Sequence, residues 1–404
     1  MKTPHLDPHL DPHLDTHLDA APHQPASAQQ PGWPDPGAVR RVRAELAKSP
    51  GLVHPDDIRV LRTQLAAVAA GEARVVQAGD CAEDFAEASA APIARKVGLL
   101  DLLAGALTLR TRLPTVRAGR IAGQYAKPRS SAMEHVDGVE LPVFRGHMVN
   151  APAPDPLGRR PDPRRMLAGY RASREALAHL GWPRQGASPR IGPPVWTSHE
   201  ALLLDYETPL LRRDEAGTQW LTSTHWPWIG TRTRHPEGAH VALLTEIANP
   251  VAVKVGPDMT VDETLAVCRR LDPRREPGRL TLVSRMGAGR VLARLPALVR
   301  AVSSAGHPVI WLCDPMHGNT ERASGGVKTR YVTTVVRELA EFQDAVASAG
   351  GTAGGVHLET TPDDVVECVW EAGQEPGGPA EYRTLCDPRL NPAQAMAVVD
   401  SWSP

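Results

Sequence analysis

Eight short apolar runs, each leading into a stretch of loop or helical character, limit what this chain can become more than any other feature of it. They are Arg74 to Asp80, Thr115 to Gln124, Val195 to His199, Leu221 to His225, Val251 to Gly256, Leu280 to Met286, Pro308 to Cys313 and Gly355 to Glu359. Strands covered on both faces and alternating with helices build a parallel sheet. Eight of them close most simply into a (β/α)8 TIM barrel, with an open doubly wound α/β sheet as the main competitor. Between the runs, Val53 to Gly71 reads as a helix, and Pro92 to Arg110 places Ile93, Val97, Leu100 and Leu103 on one face. Asp162-Pro163 and Asn391-Pro392 each pair a capping side chain with a residue that has no amide hydrogen to satisfy, which predicts helix starts. Gly181 and Gly306 predict the stops. The proline- and arginine-rich stretch from Pro142 to Arg165 is a long loop between the second and third strands.

A chain of 404 residues with 42% hydrophobic content can bury a substantial core without staples. Five widely spaced cysteines with no Cys-x-x-Cys pair argue against a disulfide framework and against a structural zinc site, which favours a reducing cytoplasm. There is no apolar stretch suited to a signal peptide or a membrane span. The formal charge of −1 gives no global attraction to nucleic acid or to an anionic membrane, and an aromatic content of 4% leaves little for base stacking. Residues 4 to 19 repeat Pro-His-Leu-Asp three times and then Thr-His-Leu-Asp, without helix or strand periodicity. We therefore expect a disordered His/Pro/Asp-rich leader over residues 1–30 and one barrel domain with an N-terminal helical extension over residues 31–404.

A barrel of this kind gathers its active site at the C-terminal ends of its strands, so the residues at the end of each run are informative. In order these are Gly79-Asp-Cys-Ala-Glu83; Arg120 and then Lys127-Pro-Arg-Ser130; Ser198-His-Glu200; Trp228-Ile-Gly-Thr-Arg232; Lys254-Val-Gly-Pro257; Ser284-Arg-Met-Gly287; Asp314-Pro-Met-His317; and His357-Leu-Glu359, with Cys386-Asp-Pro-Arg-Leu-Asn391 just beyond. A lone arginine after a strand is ordinarily a solvated loop residue, but chance would scatter such groups over both rims. Cys81, His317, Glu359 and Asp387 offer a thiolate, an imidazole and two carboxylates, a mixed set suited to a divalent ion; manganese, iron, cobalt and zinc all fit it. Arg120, Lys127, Arg232, Lys254 and Arg285 point fixed positive charge at the same cavity, which predicts small, multiply anionic, phosphorylated substrates. Cys268, Cys313 and Cys368 read as small buried hydrophobes.

These segments, together with Arg120-Ile-Ala-Gly-Gln-Tyr-Ala-Lys-Pro-Arg-Ser130, Thr197-Ser-His-Glu-Ala-Leu-Leu-Leu204 and Cys313-Asp-Pro-Met-His-Gly-Asn-Thr320, resemble the class II 3-deoxy-D-arabino-heptulosonate 7-phosphate (DAHP) synthases from about Gln29 to Val399. The resemblance implies a (β/α)8 barrel that condenses phosphoenolpyruvate with erythrose 4-phosphate at the entry to the shikimate pathway. It implies a divalent metal, manganese before cobalt, iron or zinc, held by Cys81, His317, Glu359 and Asp387. Phosphoenolpyruvate would be bound by Arg120, Arg232, Lys254 and Arg285 with the backbone at Thr231. Lys127, Arg129 and Ser130 would hold the aldose phosphate, and Glu200 and Trp228 would line the pocket. Lys127, Arg232 and His317 would carry the chemistry. A homo-oligomer, dimeric or larger, is also implied.

Two departures stand out. The family usually reads Trp-Ile-Gly-Glu-Arg-Thr-Arg where this chain has Thr231, which removes a carboxylate beside the phosphoenolpyruvate site and leaves room for a changed aldehyde. The segment from Gly169 to Pro194 is short, lacking the helical pair that builds an aromatic amino acid effector site in longer members. These features predict weak feedback inhibition and a role in secondary metabolism, with an aminoDAHP synthase acting on an amino or imino erythrose phosphate as the alternative. A catalytically silent barrel that regulates a partner enzyme is the third reading, and the presence of all four expected ligands argues against it. Cys386, next to Asp387, is expected near Cys81.

Overall fold

Apolar β-branched runs make the barrel wall. The computed structural model describes residues 28–136, 138–182, 193–378 and 380–403; the repeat at 4–19 lies outside the described residues. The strands are β1 (Arg74–Gly79), β2 (Thr115–Arg120), β3 (Trp196–Thr197), β4 (Trp228–Ile229), β5 (Val251–Val255), β6 (Leu280–Ser284), β7 (Ile310–Cys313) and β8 (Ala353–Glu359). They form one parallel sheet in the order β3-β2-β1-β8-β7-β6-β5-β4. β5, β6 and β7 are buried at every position, as a sheet covered on both faces requires. Short contacts join the two ends of the sheet: Trp226 N–H donates to the Thr197 carbonyl at 3.1 Å, Trp228 N–H to His199 at 3.0 Å and Ala201 N–H to Trp228 at 2.8 Å. The curled sheet is thereby closed into the expected barrel.

Helices Ala90–Thr111, Arg165–His179, Ala239–Glu246, Val261–Leu271, Val291–Ser304 and Val332–Ser348 cover the outside, with Pro392–Asp400 after β8. Two helices precede the barrel, α1 (Pro36–Lys48) and α2 (Pro55–Ala69). α2 lies across the N-terminal end: Arg62 donates to the carbonyl of Ala248, just before β5, and a side chain at Gly354 on β8 would press on Val68 at 3.1 Å. Asn391 caps its helix as expected, accepting from Gln394 N–H at 3.0 Å. Gly181 and Gly306 end theirs with φ of 81° and 77°. Asp162 accepts Arg164 N–H at 3.0 Å but sits one turn ahead of a helix that begins at Arg165.

The fourth strand is a correction. The expected run, Leu221 to His225, is buried but does not join the barrel ladder; Gln219–Leu221 pairs antiparallel with Leu211–Arg213 instead. The hydroxyls after it are taken up by side-chain bonds, Thr222 to the Leu210 carbonyl at 2.7 Å and Ser223 to Glu207 at 2.6 Å. Parallel pairing with β5 starts only beyond that run, at Trp228. Among the described residues no helix is long and apolar enough to cross a membrane.

Candidate functional site

The parallel direction of all eight strands sends their C-terminal ends to one mouth, where a pocket is lined by Arg120, Lys127, Glu200, Trp228, Thr231, Arg232, Lys254, Arg285, His317 and Asp387 together with Gln124, Pro128 and Gly230. Cys81, Arg129, Ser130 and Glu359, also expected here, do not line it. Glu359 and Cys81 lie beneath the surface, fully buried. Arg129 is beside the mouth, with Nη1 3.4 Å from the Cys386 sulfur and Nη2 3.3 Å from Glu134, and Ser130 is exposed.

β7 ends in the buried Asp314, whose Oδ1 accepts the backbone N–H of Met316 at 3.1 Å and of His317 at 3.3 Å, turning the chain back on itself. Its Oδ2 lies 2.8 Å from His317 Nδ1 and 2.5 Å from Lys254 Nζ. Burial opposes ionisation of Asp314, but His317 and Lys254 outweigh it and hold the carboxyl well below its usual range. The turn also needs glycine. A side chain at Gly318 would collide with the backbone nitrogen of Gly287 in the loop after β6, so the two loops touch only because neither residue has a Cβ.

Glu359 closes β8 and is the electrostatic centre. Its Oε1 lies 2.9 Å from Arg120 Nη2, 3.1 Å from Lys127 Nζ and 3.2 Å from His317 Nε2; its Oε2 is 2.9 Å from Arg330 Nη1 but has no directed hydrogen bond. Burial alone would favour the neutral acid, yet His317, Lys127, Arg330 and Arg120 together keep it ionised, well below the usual carboxylate range. Asp387 is reached by Lys127 Nζ at 3.3 Å and Lys328 Nζ at 2.9 Å, and its carboxyl is likewise lowered, against burial, chiefly by Lys127. Burial pulls Lys254 down to about 8 despite Asp314.

The residues fit a divalent ion. His317, Glu359 and Asp387 each offer a ligand atom, and these atoms lie within 4.8 Å of one another. The buried Glu359 Oε2, which no donor satisfies with a directed hydrogen bond, keeps acceptor capacity. Cys81 stands outside that group of three. Its sulfur is 3.2 Å from the Thr384 hydroxyl and hydrogen-bonded to the Cys386 thiol, which together with Lys127 overcomes burial and lowers it to about 6, a value at which thiolate forms near neutrality.

Further groups support the site, and of these Gln77, Lys328 and Arg330 carry no signal in the sequence. His357 Nε2 lies 2.6 Å from Arg120 Nη1 and its Nδ1 2.6 Å from Gln77 Oε1; burial and then Lys254 and Arg120 keep this imidazole neutral, so it accepts from Arg120 and orients it. The Arg120 guanidinium also stacks 5.2 Å from the Trp228 ring centroid. Lys328 belongs to a hairpin, Glu321–Arg322 with Lys328–Thr329, that extends the loop after His317, and Arg330 comes just after it. Glu200 presents an Oε1 without a partner to the pocket, and burial raises its carboxyl.

Comparison with known proteins identifies the family. The profile of the class-II DAHP synthetase family matches residues 19–189 and 191–401. A protein of Pseudomonas fluorescens described as a probable phospho-2-dehydro-3-deoxyheptonate aldolase is 56% identical over 375 residues, 93% of this chain and 94% of its own length. A phospho-2-dehydro-3-deoxyheptonate aldolase of Streptomyces coelicolor is 40% identical over 425 aligned positions, covering 92% and 93%. Among solved structures, a phospho-2-dehydro-3-deoxyheptonate aldolase from Francisella tularensis superposes with a TM-score of 0.55 at 12% identity, covering 90% of this chain and 94% of that one, a likeness of fold alone.

Proposed function

Because the chain belongs to the class-II DAHP synthetase family, we propose that it joins phosphoenolpyruvate to erythrose 4-phosphate at the barrel mouth, releasing phosphate and DAHP. The observation that carries this reading is five cationic side chains, Arg120, Lys127, Arg232, Lys254 and Arg285, in one pocket with His317 and Asp387. Two phosphorylated anions repel each other, and a fixed collar of charge holds both within reacting distance, an effect that contributes up to about 7 to 11 kcal/mol in well-aligned cases.

In this reading Arg120, Arg232, Lys254 and Arg285, with the backbone at Thr231, grip phosphoenolpyruvate, while Lys127 and the neighbouring Arg129 and Ser130 take the aldose phosphate. C3 of phosphoenolpyruvate bonds to the aldehyde carbon, water adds to C2, and the C2–O bond to phosphate breaks. Glu200, whose carboxyl is raised by burial and so made a stronger base, holds that water and accepts its proton. His317, Glu359 and Asp387, with the Cys81 thiolate turning toward them, would hold a divalent cation, manganese before cobalt, iron or zinc. Such a cation supplies Lewis acidity to the aldehyde oxygen. Residues 31–404 act as one catalytic domain, in a cytoplasmic homo-oligomer.

Thr231 lines the pocket where a carboxylate is usual, and this favours a second reading, an amino or imino erythrose phosphate as the acceptor. The short segment before β3 supports a role in secondary metabolism, free of aromatic amino acid feedback. Phosphate release from phosphoenolpyruvate, assayed with erythrose 4-phosphate and with its amino analogue, each with and without chelator, tests these readings together. Activity with neither aldehyde sinks the function; activity indifferent to chelator sinks the metal; submicromolar inhibition by tryptophan or phenylalanine sinks the secondary role.

A further inference from the structure

Cys81 and Asp387 come from opposite ends of the chain, and a buried guanidinium, that of Arg389, joins the loops that carry them. Its Nη1 donates to Asp80 Oδ1 at 2.7 Å across 309 residues of sequence, its Nη2 to Glu367 Oε1 at 2.7 Å, and its Nε to Glu367 Oε2 at 3.0 Å. The Arg389 backbone N–H donates to the same Glu367 Oε2 at 2.7 Å. Asp80 is tied from its other side by Lys96, 2.7 Å away, which also reaches Glu87 at 2.7 Å. All four of Asp80, Lys96, Glu367 and Arg389 are buried.

Asp80 immediately precedes Cys81, and Arg389 is two residues beyond Asp387. A guanidinium has a planar fork of donors, so bonding a carboxylate on each side fixes the angle between the two loops as well as their separation. The loop after β8 is braced on its other flank by Arg330, which donates to the Pro388 carbonyl and lies 2.9 Å from Glu359 Oε2. None of Asp80, Glu367 or Arg389 lines the pocket, so the cluster acts on the site only through its neighbours.

We propose that Arg389 is a positioning residue which, through Asp80 and Glu367, holds Cys81 in register with Asp387 so that sulfur and carboxylate close on one cation. This rests on the metal reading above. With the clamp intact the loop that carries Cys81 keeps a fixed position relative to the loop that carries Asp387. Without it the brace between the β1 end and the 386–391 loop is lost, while Leu390 N–H to the Glu359 carbonyl and Thr361 N–H to the Leu390 carbonyl, each at 3.0 Å, still hold that loop to β8, so the sulfur rather than Asp387 is the donor lost.

Cadmium binding to the full chain tests this, since a thiolate bound to cadmium gives an ultraviolet charge-transfer band that carboxylate and imidazole do not. Wild type, Cys81→Ser, Arg389→Met, Arg389→Lys and Asp80→Asn are titrated with cadmium by absorbance and calorimetry. Asp272→Asn, which disturbs the buried Asp272–His307 pair near the opposite end of the barrel, reports a purely structural loss. The expected result is that Arg389→Met and Asp80→Asn lose the band, as Cys81→Ser does, and bind cadmium about 10- to 100-fold more weakly. Arg389→Lys recovers part of both, and Asp272→Asn keeps the band whatever its melting temperature. If Arg389→Met fails to fold, Asp80→Asn, nearly isosteric, decides. A full band and wild-type affinity in the folded clamp variants overturn the proposal. A wild type that binds no cadmium overturns the metal reading and this inference with it, an outcome recognisable because every variant then matches wild type.

Discussion

Asp314 Oδ2 lies 2.8 Å from His317 Nδ1, while the other ring nitrogen lies 3.2 Å from Glu359 Oε1. One carboxylate therefore fixes the ring: with Nδ1 held by Asp314, Nε2 is the nitrogen turned toward Glu359. That is why the apolar strand β7 runs out in Asp314-Pro-Met-His317. The same Asp314 oxygen accepts from Lys254, so a single acid orients a cation ligand and a substrate-binding lysine.

Asp314→Asn keeps the shape but removes the charge that both partners need. We expect divalent metal affinity to fall about 10- to 100-fold, the range typical of partners standing behind a metal-bound histidine. Lys254, already pulled down by burial, loses its counter-charge and phosphoenolpyruvate KM rises. Calorimetric titration with manganese checks the first effect and steady-state kinetics the second. Unchanged metal affinity in a folded Asp314→Asn protein contradicts the orienting role.

Glu338 gives a pH-dependent stability unrelated to the cation site. Its Oε1 accepts Met286 N–H at 3.1 Å and Gly287 N–H at 2.8 Å, and its Oε2 accepts Asn319 Nδ2 at 2.5 Å, so it clamps the loops after β6 and β7. Burial nevertheless pushes it up to about 7. The folded value is raised, so the contribution is fully present below the ordinary carboxyl range and is lost as pH rises through about 7. At 1.36 kcal/mol per pH unit the loss is roughly 3 kcal/mol. Glu338→Gln is expected to flatten the fall in melting temperature between pH 5 and pH 8. It should also lower the value at pH 5, where its amide meets the Asn319 amide. A slope equal to wild type counts against this.

The two thiols at the mouth make a redox prediction. The Cys386 hydrogen bond and then Lys127 hold Cys81 at about 6, whereas Cys386 is pushed well above its ordinary value by that same bond and by burial. Disulfide formation starts from a thiolate, which Cys81 supplies. Mild oxidant is expected to couple Cys81 to Cys386, the oxidant taking up two electrons, with loss of activity that dithiothreitol restores. Cys386→Ser should resist. Thiol titration before and after treatment decides it: two thiols lost in wild type and none in Cys386→Ser is the expected pattern, and equal sensitivity of both proteins refutes it.

How much the sequence made legible depends on the range of the forces involved. Strands such as Val251–Val255, with a single lysine, and Ile310–Cys313 are apolar at nearly every position, and their burial needs no partner to be named. The residues at their ends were legible because parallel direction alone sends them to one mouth. The run Leu221 to His225 misled because its threonines favour strands, whereas here the hydroxyls of Thr222 and Ser223 find other acceptors and the ladder is deferred to Trp228. Arg330 left no trace, since a fully buried arginine depends on Glu359 and Pro388 arriving from elsewhere in the chain. Arg389 lay in plain view, two positions after an expected ligand, yet its partner Asp80 is visible only in three dimensions.

Gly230 offers the sharpest separation of site geometry from stability. A methyl group there would collide with Glu200 Oε1, and the nearest atoms around it all belong to that one side chain. The obstacle is the end of a side chain rather than backbone, so Gly230→Ala folds by pushing the Glu200 carboxylate aside, with little change in melting temperature. Displacement of about 1 Å at a reacting centre costs about 100-fold in rate, and kcat is expected to fall by that order while phosphoenolpyruvate KM, set by the cationic collar, changes little. Glu200→Gln supplies the companion measurement: if the carboxyl manages the proton of the attacking water, this variant loses kcat and flattens the acid limb of the pH profile. Gly230→Ala, which keeps the carboxyl, retains that limb at reduced height. Wild-type kcat in both variants would show that Glu200 merely borders the pocket.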